Sequence, residues 1–418
     1  MSYITLPYAK SEVSACIDEK NLMGTLMPNT VERQLTGVDE VKRSLANPIS
    51  SKKLSEIARG RKNVVIVTSD CTRPCPSYKI IPSLLDELHE AGVDNSEITV
   101  VFGLGSHRAQ TEAEMRALVG DYVYDSVKCI DADTKNDCVD MGKTSRGTPV
   151  EIFGVVARAD LRILVGNIEY HYFAGYSGGY KAIMPGVSTR AAIQSNHRFM
   201  VEPESAAGRL CGNPVREDIE ESGRLCPSEF ICNVVLDEHK EIIKCVSGHV
   251  VDAHREGCKF LDSLYAVKME KKADIVIASA GGFPKDRNMY QAQKALDNAS
   301  HAVRDGGIII WIAECSEGLG EKHFEDWMTG HEKASDMIDH IKRDFVLGGH
   351  KAAAIAMVLE RARIMLVSGL DAAFVRSLFL EPQESLGSAL TEAFNALGQD
   401  ASVLLMPYAG STLPTFDH

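Results

Sequence analysis

The chain carries no excess of positive charge. Lys and Arg number 45 against 58 Asp and Glu, a formal net charge of −13. A nucleic-acid surface needs clustered cations, so that class of partner is excluded. A small anion is not, because a few converging cations suffice to hold one. No apolar run approaches the ~18 residues of a membrane-spanning helix. The opening MSYITLPYAKSEVSACIDEK lacks the basic and then apolar stretch of a secretory signal. No membrane partner is therefore expected, and a cytoplasmic location is. Cysteine is not scarce, at 11, but the nearest pair, Cys71 and Cys75, lacks the spacing of a zinc knuckle. Free thiols in a reducing compartment are the expectation. Standard catalytic fingerprints are missing too. GLGSHR (103–108) has no third glycine for a dinucleotide loop, and GYSGGYKA (175–182) puts Ala182 where a phosphate loop needs Ser or Thr. Neither H-E-x-x-H nor G-x-S-x-G occurs.

What is present is a rhythm. At 418 residues the chain exceeds one ordinary core, so two domains are expected. KNVVIVTSD (62–70) is a short β-branched run typical of a buried parallel strand. SYKIIPSLLDELHEAG (77–92) reads as an amphipathic helix stopped by Gly92. A second strand (96–107) and a helix (111–120) with a Thr111/Glu114 capping box follow. Further on come a strand at 159–169, a helix at 188–200 capped by Ser188, a hairpin or meander at 229–250 and a helix at 252–272. The alternation restarts with ADIVIASAGG, QAQKALDNASHAV and GGIIIWIAEC, and RARIMLVSG and ASVLLMPYAG supply later strands. Strand, helix, strand, helix is the pattern of an α/β layer fold. The expected division is an N-terminal domain over 1–269 and a C-terminal domain over 270–418. Each carries a Rossmann-like α/β layer, with the active site in the cleft between them.

In open parallel sheets, ligands bind beyond the carboxyl ends of the strands. The residues there are Asp70, Cys71, Thr72 and Arg73; His107; His171 and Lys181; and, in the second block, Tyr290, Gln291 and Lys294. The third group sits in EYHYFAGYSGGYKAIMPG (169–186), where Tyr170, Tyr172, Phe173, Tyr176 and Tyr180 crowd around Gly175, Gly178, Gly179 and Gly186. Glycine this dense marks a sharp bend or a close approach of the backbone to something. Each residue alone has a plain reading. Arg73 could pair with Asp70, His107 could cap a helix, and His171 could be a packed imidazole. Lys181 could be a solvated loop lysine, and His197 and Lys294 could be solvent-facing helix positions. The remaining histidines read as surface residues. Together the residues point to a two-domain α/β enzyme without naming its reaction.

SDCTRP, GSHRAQT, EYHYFAGYSGGYKAIMPG, QSNHRFM and GGFPKDRNMYQAQKALDNA occur in that order. Over roughly residues 60–300 the chain resembles the nickel-pincer lactate racemase family, enzymes that interconvert 2-hydroxy-acid stereoisomers. The resemblance implies a covalently attached cofactor, the Ni(II) complex of pyridinium-3,5-bisthiocarboxylic acid mononucleotide. It implies Lys181 as the attachment point, His197 as the protein ligand to nickel, and His107 and His171 as paired acid/base residues. The 70–73 segment would line cofactor and substrate, with Arg73, Tyr290, Gln291 and Lys294 at the substrate. A pincer gives donors in one plane and an imidazole completes a square, which suits d⁸ Ni(II). Lactate is the favoured substrate; malate, phenyllactate, a sugar acid or a non-catalytic cofactor carrier are the alternatives. Enzymes that synthesise the cofactor and insert its nickel would be transient partners.

Overall fold

A computed structural model describes residues 1–31, 35–237 and 239–416. The chain divides into two compact units, one of residues Val31–Asp262 and the other of Met1–Thr30 with Ser263–His418. Among the described residues the cysteines form no disulfide, and no helix is long and apolar enough to cross a membrane.

The 31–262 unit is built on a six-stranded sheet. In spatial order its strands are Ile242–Gly248, Phe230–Leu236, Leu161–Asn167, Val64–Ser69, Ile98–Gly103 and Lys128–Asp131. All neighbours are parallel except the first pair, the hairpin expected near 229–250. The strand Val64–Ser69 is central, and Val64 through Val67 are fully buried, as a strand covered on both faces requires. The helix Ser77–Glu90 buries Ile80, Ile81, Leu84, Leu85 and Leu88 on one stripe against the sheet. Thr111 and Glu114 form the capping box of the helix Glu112–Val119. The chain leaves Val64–Ser69 toward Ile98–Gly103 on one side and later returns to Leu161–Asn167 on the other. That reversal is the topological switch point where ligands of such sheets bind.

The other unit has a six-stranded, fully parallel sheet. Its order is Glu381–Gln383, Arg363–Val367, Val303–Ile312, Ala273–Ser279, Val403–Met406 and Leu22–Thr25. The last of these strands corrects the expected division at 269/270. The first thirty residues belong to the C-terminal unit. Leu22–Thr25 adds an edge strand to Val403–Met406, and the hairpin Ser2–Tyr8/Ser11–Ile17 buries Ile4, Leu6, Ala15 and Ile17 in the same core. The second correction is local. Thr189, not Ser188, caps the helix Arg190–His197, its hydroxyl accepting from Ala192 N–H at 3.3 Å. The Ser188 hydroxyl donates to the Ile183 carbonyl instead.

Candidate active site

Three adjacent strands of the 31–262 unit deliver the first group of side chains. Beyond Val64–Ser69, Asp70 is 2% exposed. One carboxylate oxygen accepts from Thr72 N–H at 3.1 Å and Thr72 Oγ1 at 2.6 Å. The other lies 2.5 Å from His107 Nδ1, at the end of the neighbouring strand. A carboxylate only accepts, so Nδ1 carries the hydrogen and Nε2 of His107 holds the lone pair, as a proton acceptor needs. Burial pushes the Asp70 pKa up, but the hydrogen bonds from His107 and Thr72 outweigh it and hold the carboxyl below its usual range. That bonding stabilises the fold above the ordinary carboxylate pKa and is lost as pH falls through the lower folded value. Asp70→Asn should therefore flatten the loss of thermal stability below about pH 4, read by melting curves across the acid range.

Cys71, Thr72 and Arg73 are exposed. Burial and the charges of Glu114 and Asp70 raise the Cys71 thiol, so it is no thiolate nucleophile. Arg73 does not pair with Asp70, whose oxygens are taken, and its guanidinium has no carboxylate partner among the described residues.

The strand Leu161–Asn167 runs into the loop 169–186. Gly175 (φ +76°) makes its tight hairpin, and a Cβ there would lie 2.0 Å from the Arg209 carbonyl oxygen. At Gly178 (φ +74°) a Cβ would meet Asn233 Oδ1 at 2.5 Å. The loop is held from beneath through its carbonyls. Phe173 O accepts from Asn213 Nδ2 (2.9 Å), Ala174 O from Arg216 Nε (3.2 Å), Tyr176 O from Arg216 Nη2, and Ser177 O from His254 Nε2 (2.8 Å). Gly179 N–H donates to Asn233 Oδ1 at 2.8 Å, and the Tyr170 and Tyr176 hydroxyls both donate to Asp262. Sequence reading missed this frame. His254, read as a surface residue, is 1% exposed, and His350 is buried as well. The loop also touches the His107 segment, Gly105 N–H donating to Gly186 O at 2.9 Å.

Phe173 gathers the loop's chemistry. Its ring centre is 4.5 Å from that of His171, 5.0 Å from that of His197 and 5.9 Å from Lys181 Nζ. His171 Nδ1 accepts from Ala174 N–H at 3.3 Å, so the neutral ring carries its hydrogen on Nε2. Burial, then the charges of Lys181 and Arg73, hold His171 well below the usual histidine range. Burial, then Arg216 and Arg73, likewise hold Lys181 far below an ordinary lysine. His197 is buried, not solvent-facing. Its Nδ1 meets Asn196 Oδ1 at 3.0 Å, while Asn196 Nδ2 donates to Asp218 Oδ2 (2.8 Å) and Val215 O (3.2 Å). Both of those partners only accept, which fixes the amide. Asn196 Oδ1 must then accept from His197 Nδ1, leaving the lone pair on Nε2, the form that binds a metal. Among the described residues no three His, Cys, Asp or Glu side chains converge as a metal site. A metal here would draw its other donors from a cofactor.

In the other unit, Gln291 and Lys294 stand on the helix Met289–Ala302, just beyond the strand Ala273–Ser279. Both are exposed and line a pocket of about 470 Å³ with Lys285, Arg287 and Ser411. Tyr290 does not line it. Its ring packs on Phe324 at 5.6 Å and under Lys351 Nζ at 4.0 Å.

Residues 8–208 match the model of the lactate racemase N-terminal domain, and residues 268–413 that of the lactate racemase C-terminal domain. The lactate racemases of Thermoanaerobacterium thermosaccharolyticum and Lactiplantibacillus plantarum are each 34% identical to this chain over 97% of it and 98% of their own length. The lactate racemase apoprotein structure from T. thermosaccharolyticum superposes with a TM-score of 0.87 at 32% identity, covering 99% of this chain and 100% of that one. A Thermotoga maritima protein shares the fold at a TM-score of 0.61 and 16% identity, over 92% of this chain and 100% of its own. With both domain models matched in order and relatives aligned from end to end, the chain belongs to the lactate racemase family and is an isomerase.

Proposed function

We propose that the chain interconverts the enantiomers of lactate, using a nickel-pincer nucleotide attached to Lys181. The observation that carries this reading is the grouping of His171, Lys181 and His197 around one phenyl ring, with the His107–Asp70 pair on the adjoining strand end. The residues suit the group. Lys181 offers an amine with no ion pair or hydrogen bond among the described residues, ready for acylation. His197 presents Nε2 in the metal-binding tautomer, and one imidazole is all that a tridentate pincer asks of the protein. When bound, the pincer supplies an acceptor for the hydride of the substrate α-carbon.

The chain's own residues manage the proton and the anion. As the α-hydrogen leaves, the substrate hydroxyl must lose its proton. His107 Nε2 takes it for one enantiomer while Asp70 steadies the resulting imidazolium through Nδ1. His171 serves the other enantiomer, whose hydroxyl lies on the opposite side; its Nε2–H form can give a proton there, and to take one the 3.3 Å bond from Ala174 N–H must give way so that the hydrogen moves to Nδ1. Arg73 in the one unit, and Gln291 and Lys294 in the other, are the donors we assign to the substrate carboxylate, so an acidic protein binds an anion through a few placed donors. Tyr290 supports that helix turn through its ring. The cytosol and transient contact with the enzymes that build and load the cofactor go with this reading.

The test is co-expression with the cofactor-synthesis enzymes. Intact-mass analysis should show an adduct on the peptide containing Lys181, absent in Lys181→Ala. Metal analysis should show nickel, and the loaded protein should racemise L-lactate. No adduct under loading conditions, or one on another lysine, overturns the assignment. Turnover of malate or phenyllactate but not lactate overturns the substrate.

A further inference from the structure

We propose that Gln110 is a positioning residue for the His107–Asp70 pair, a brace that ties the loops carrying those two residues to each other and to the outermost strand of their sheet. The inference rests on the reading of His107 as an acid/base and adds the residue that holds it in place.

Asp70 lies on the turn after Val64–Ser69, and His107 on the loop after Ile98–Gly103. The turn satisfies two of its N–H groups by itself. Thr72 N–H donates to Asp70 Oδ1 at 3.1 Å, and Arg73 N–H to Asp70 O at 3.2 Å. The N–H of Cys71 instead donates across to Gln110 Oε1 at 2.8 Å. Gln110 follows His107 on the same loop, so this bond joins the two loops beside the Asp70–His107 contact. The far end of Gln110 is held by Asp131, the last residue of the strand Lys128–Asp131. Gln110 N–H donates to Asp131 Oδ2 at 2.8 Å, and Gln110 Nε2 to Asp131 Oδ1 at 2.9 Å. A carboxylate only accepts, so Nε2 is fixed toward Asp131 and Oε1 is left for Cys71.

The side chain thus accepts at one end and donates at the other. Glutamate would accept at both and set its charge against Asp131. Among the described residues, the other side-chain bonds between turn and loop end on one atom. His107 Nδ1 lies 2.5 Å from Asp70 Oδ2 and 3.3 Å from Thr72 Oγ1. Those bonds belong to the ring that gains and loses a proton during the reaction. The bond from Cys71 to Gln110 is neutral and does not change with the state of that ring. It keeps the turn in place against the loop while His107 alternates between imidazole and imidazolium. Placement on this scale decides rates, since a misplacement of about 1 Å can cost about 10²-fold.

The test compares wild type with Gln110→Met, which keeps the side-chain volume and loses both polar ends. In the cofactor-free, full-length chain, residue-level hydrogen exchange by mass spectrometry should show the Cys71 amide exchanging about tenfold faster, the worth of one hydrogen bond. The amides of Val64–Ser69 should keep their protection. In co-expressed, loaded protein, single turnovers should slow about tenfold for the enantiomer that His107→Ala fails to oxidise, and stay within about twofold of wild type for the other. A general loosening of the fold, or a displaced Arg73, would slow both enantiomers alike. Asp131→Ala should give the same selective loss and add little to it in Gln110→Met, because the two residues act through one chain of bonds. Unchanged exchange at Cys71, a loss shared equally by both enantiomers, or no loss at all overturns the proposal. Should Gln110→Met fail to fold, Asp131→Asn keeps an oxygen for one of the Gln110 donors and faces the same outcomes. A His107→Ala protein with no preference between enantiomers overturns the acid/base reading of His107 itself, and that result is read separately from the others.

Discussion

Replacing either His107 or His171 by alanine should slow racemisation in both directions by about 10²–10⁴-fold, the contribution of a placed general acid or base. Forward and reverse reactions pass through the same steps, and enantiomers are equal in free energy, so neither variant can favour one direction. The half-reaction should separate them. In a single turnover of loaded protein, one variant should still oxidise one enantiomer to the keto acid while failing with the other, and the second variant should do the reverse. The two rings are not equivalent. Asp70 supports the imidazolium of His107, whereas the cations around His171 oppose one there. Equal loss of both half-reactions in both variants would end the division of labour.

The parts of this molecule that were legible in its sequence are those where a local rule and the tertiary structure agree. Val64 through Val67 are β-branched because the central strand is covered on both faces, so the run announced its strand, and the polar residues after it announced a strand end. Thr111 and Glu114 sit at the spacing that two reciprocal bonds demand. What stayed hidden depends on partners far along the chain. Leu22–Thr25 is a four-residue strand whose place is set by Val403–Met406, and nothing within residues 1–30 says which sheet will accept it. Ser188 and Thr189 are adjacent hydroxyls, and only the bond from Ser188 to Ile183 O decides which is left to cap the helix. Asn213, Arg216 and His254 look like ordinary polar positions on helices or their caps. They meet the loop carbonyls only because the helices Pro214–Leu225 and Val250–Tyr265 pack beneath it. The glycines of the loop did signal a backbone held close to something; half of that something proves to be this buried frame.

The same frame carries the largest expected loss of stability. Asp218 is fully buried and accepts from Thr144 Oγ1 (2.5 Å), Thr148 Oγ1 (2.7 Å) and Asn196 Nδ2 (2.8 Å). Asp218→Ala leaves those donors without their acceptor in a dry site. At roughly 1–3 kcal/mol for each unsatisfied buried group, and with two hydroxyls able to rotate, about 3 kcal/mol should be lost. Calorimetric melting of cofactor-free protein measures this directly. The second consequence is chemical. With Asp218 gone, only the 3.2 Å bond to Val215 O still holds the Asn196 amide against turning its Nδ2 toward His197. A donor there forces the lone pair onto Nδ1 and the hydrogen onto Nε2, the nitrogen proposed to meet nickel. Loaded Asp218→Ala should then hold nickel about 10–100-fold less tightly, the usual effect of losing a residue that orients a metal-binding histidine. Asp218→Asn keeps an oxygen for Asn196 and should lie between wild type and alanine in both measurements. A variant that melts early yet releases nickel to a chelator at the wild-type rate would show that Asp218 supports the fold alone, and that His197 takes its orientation from elsewhere.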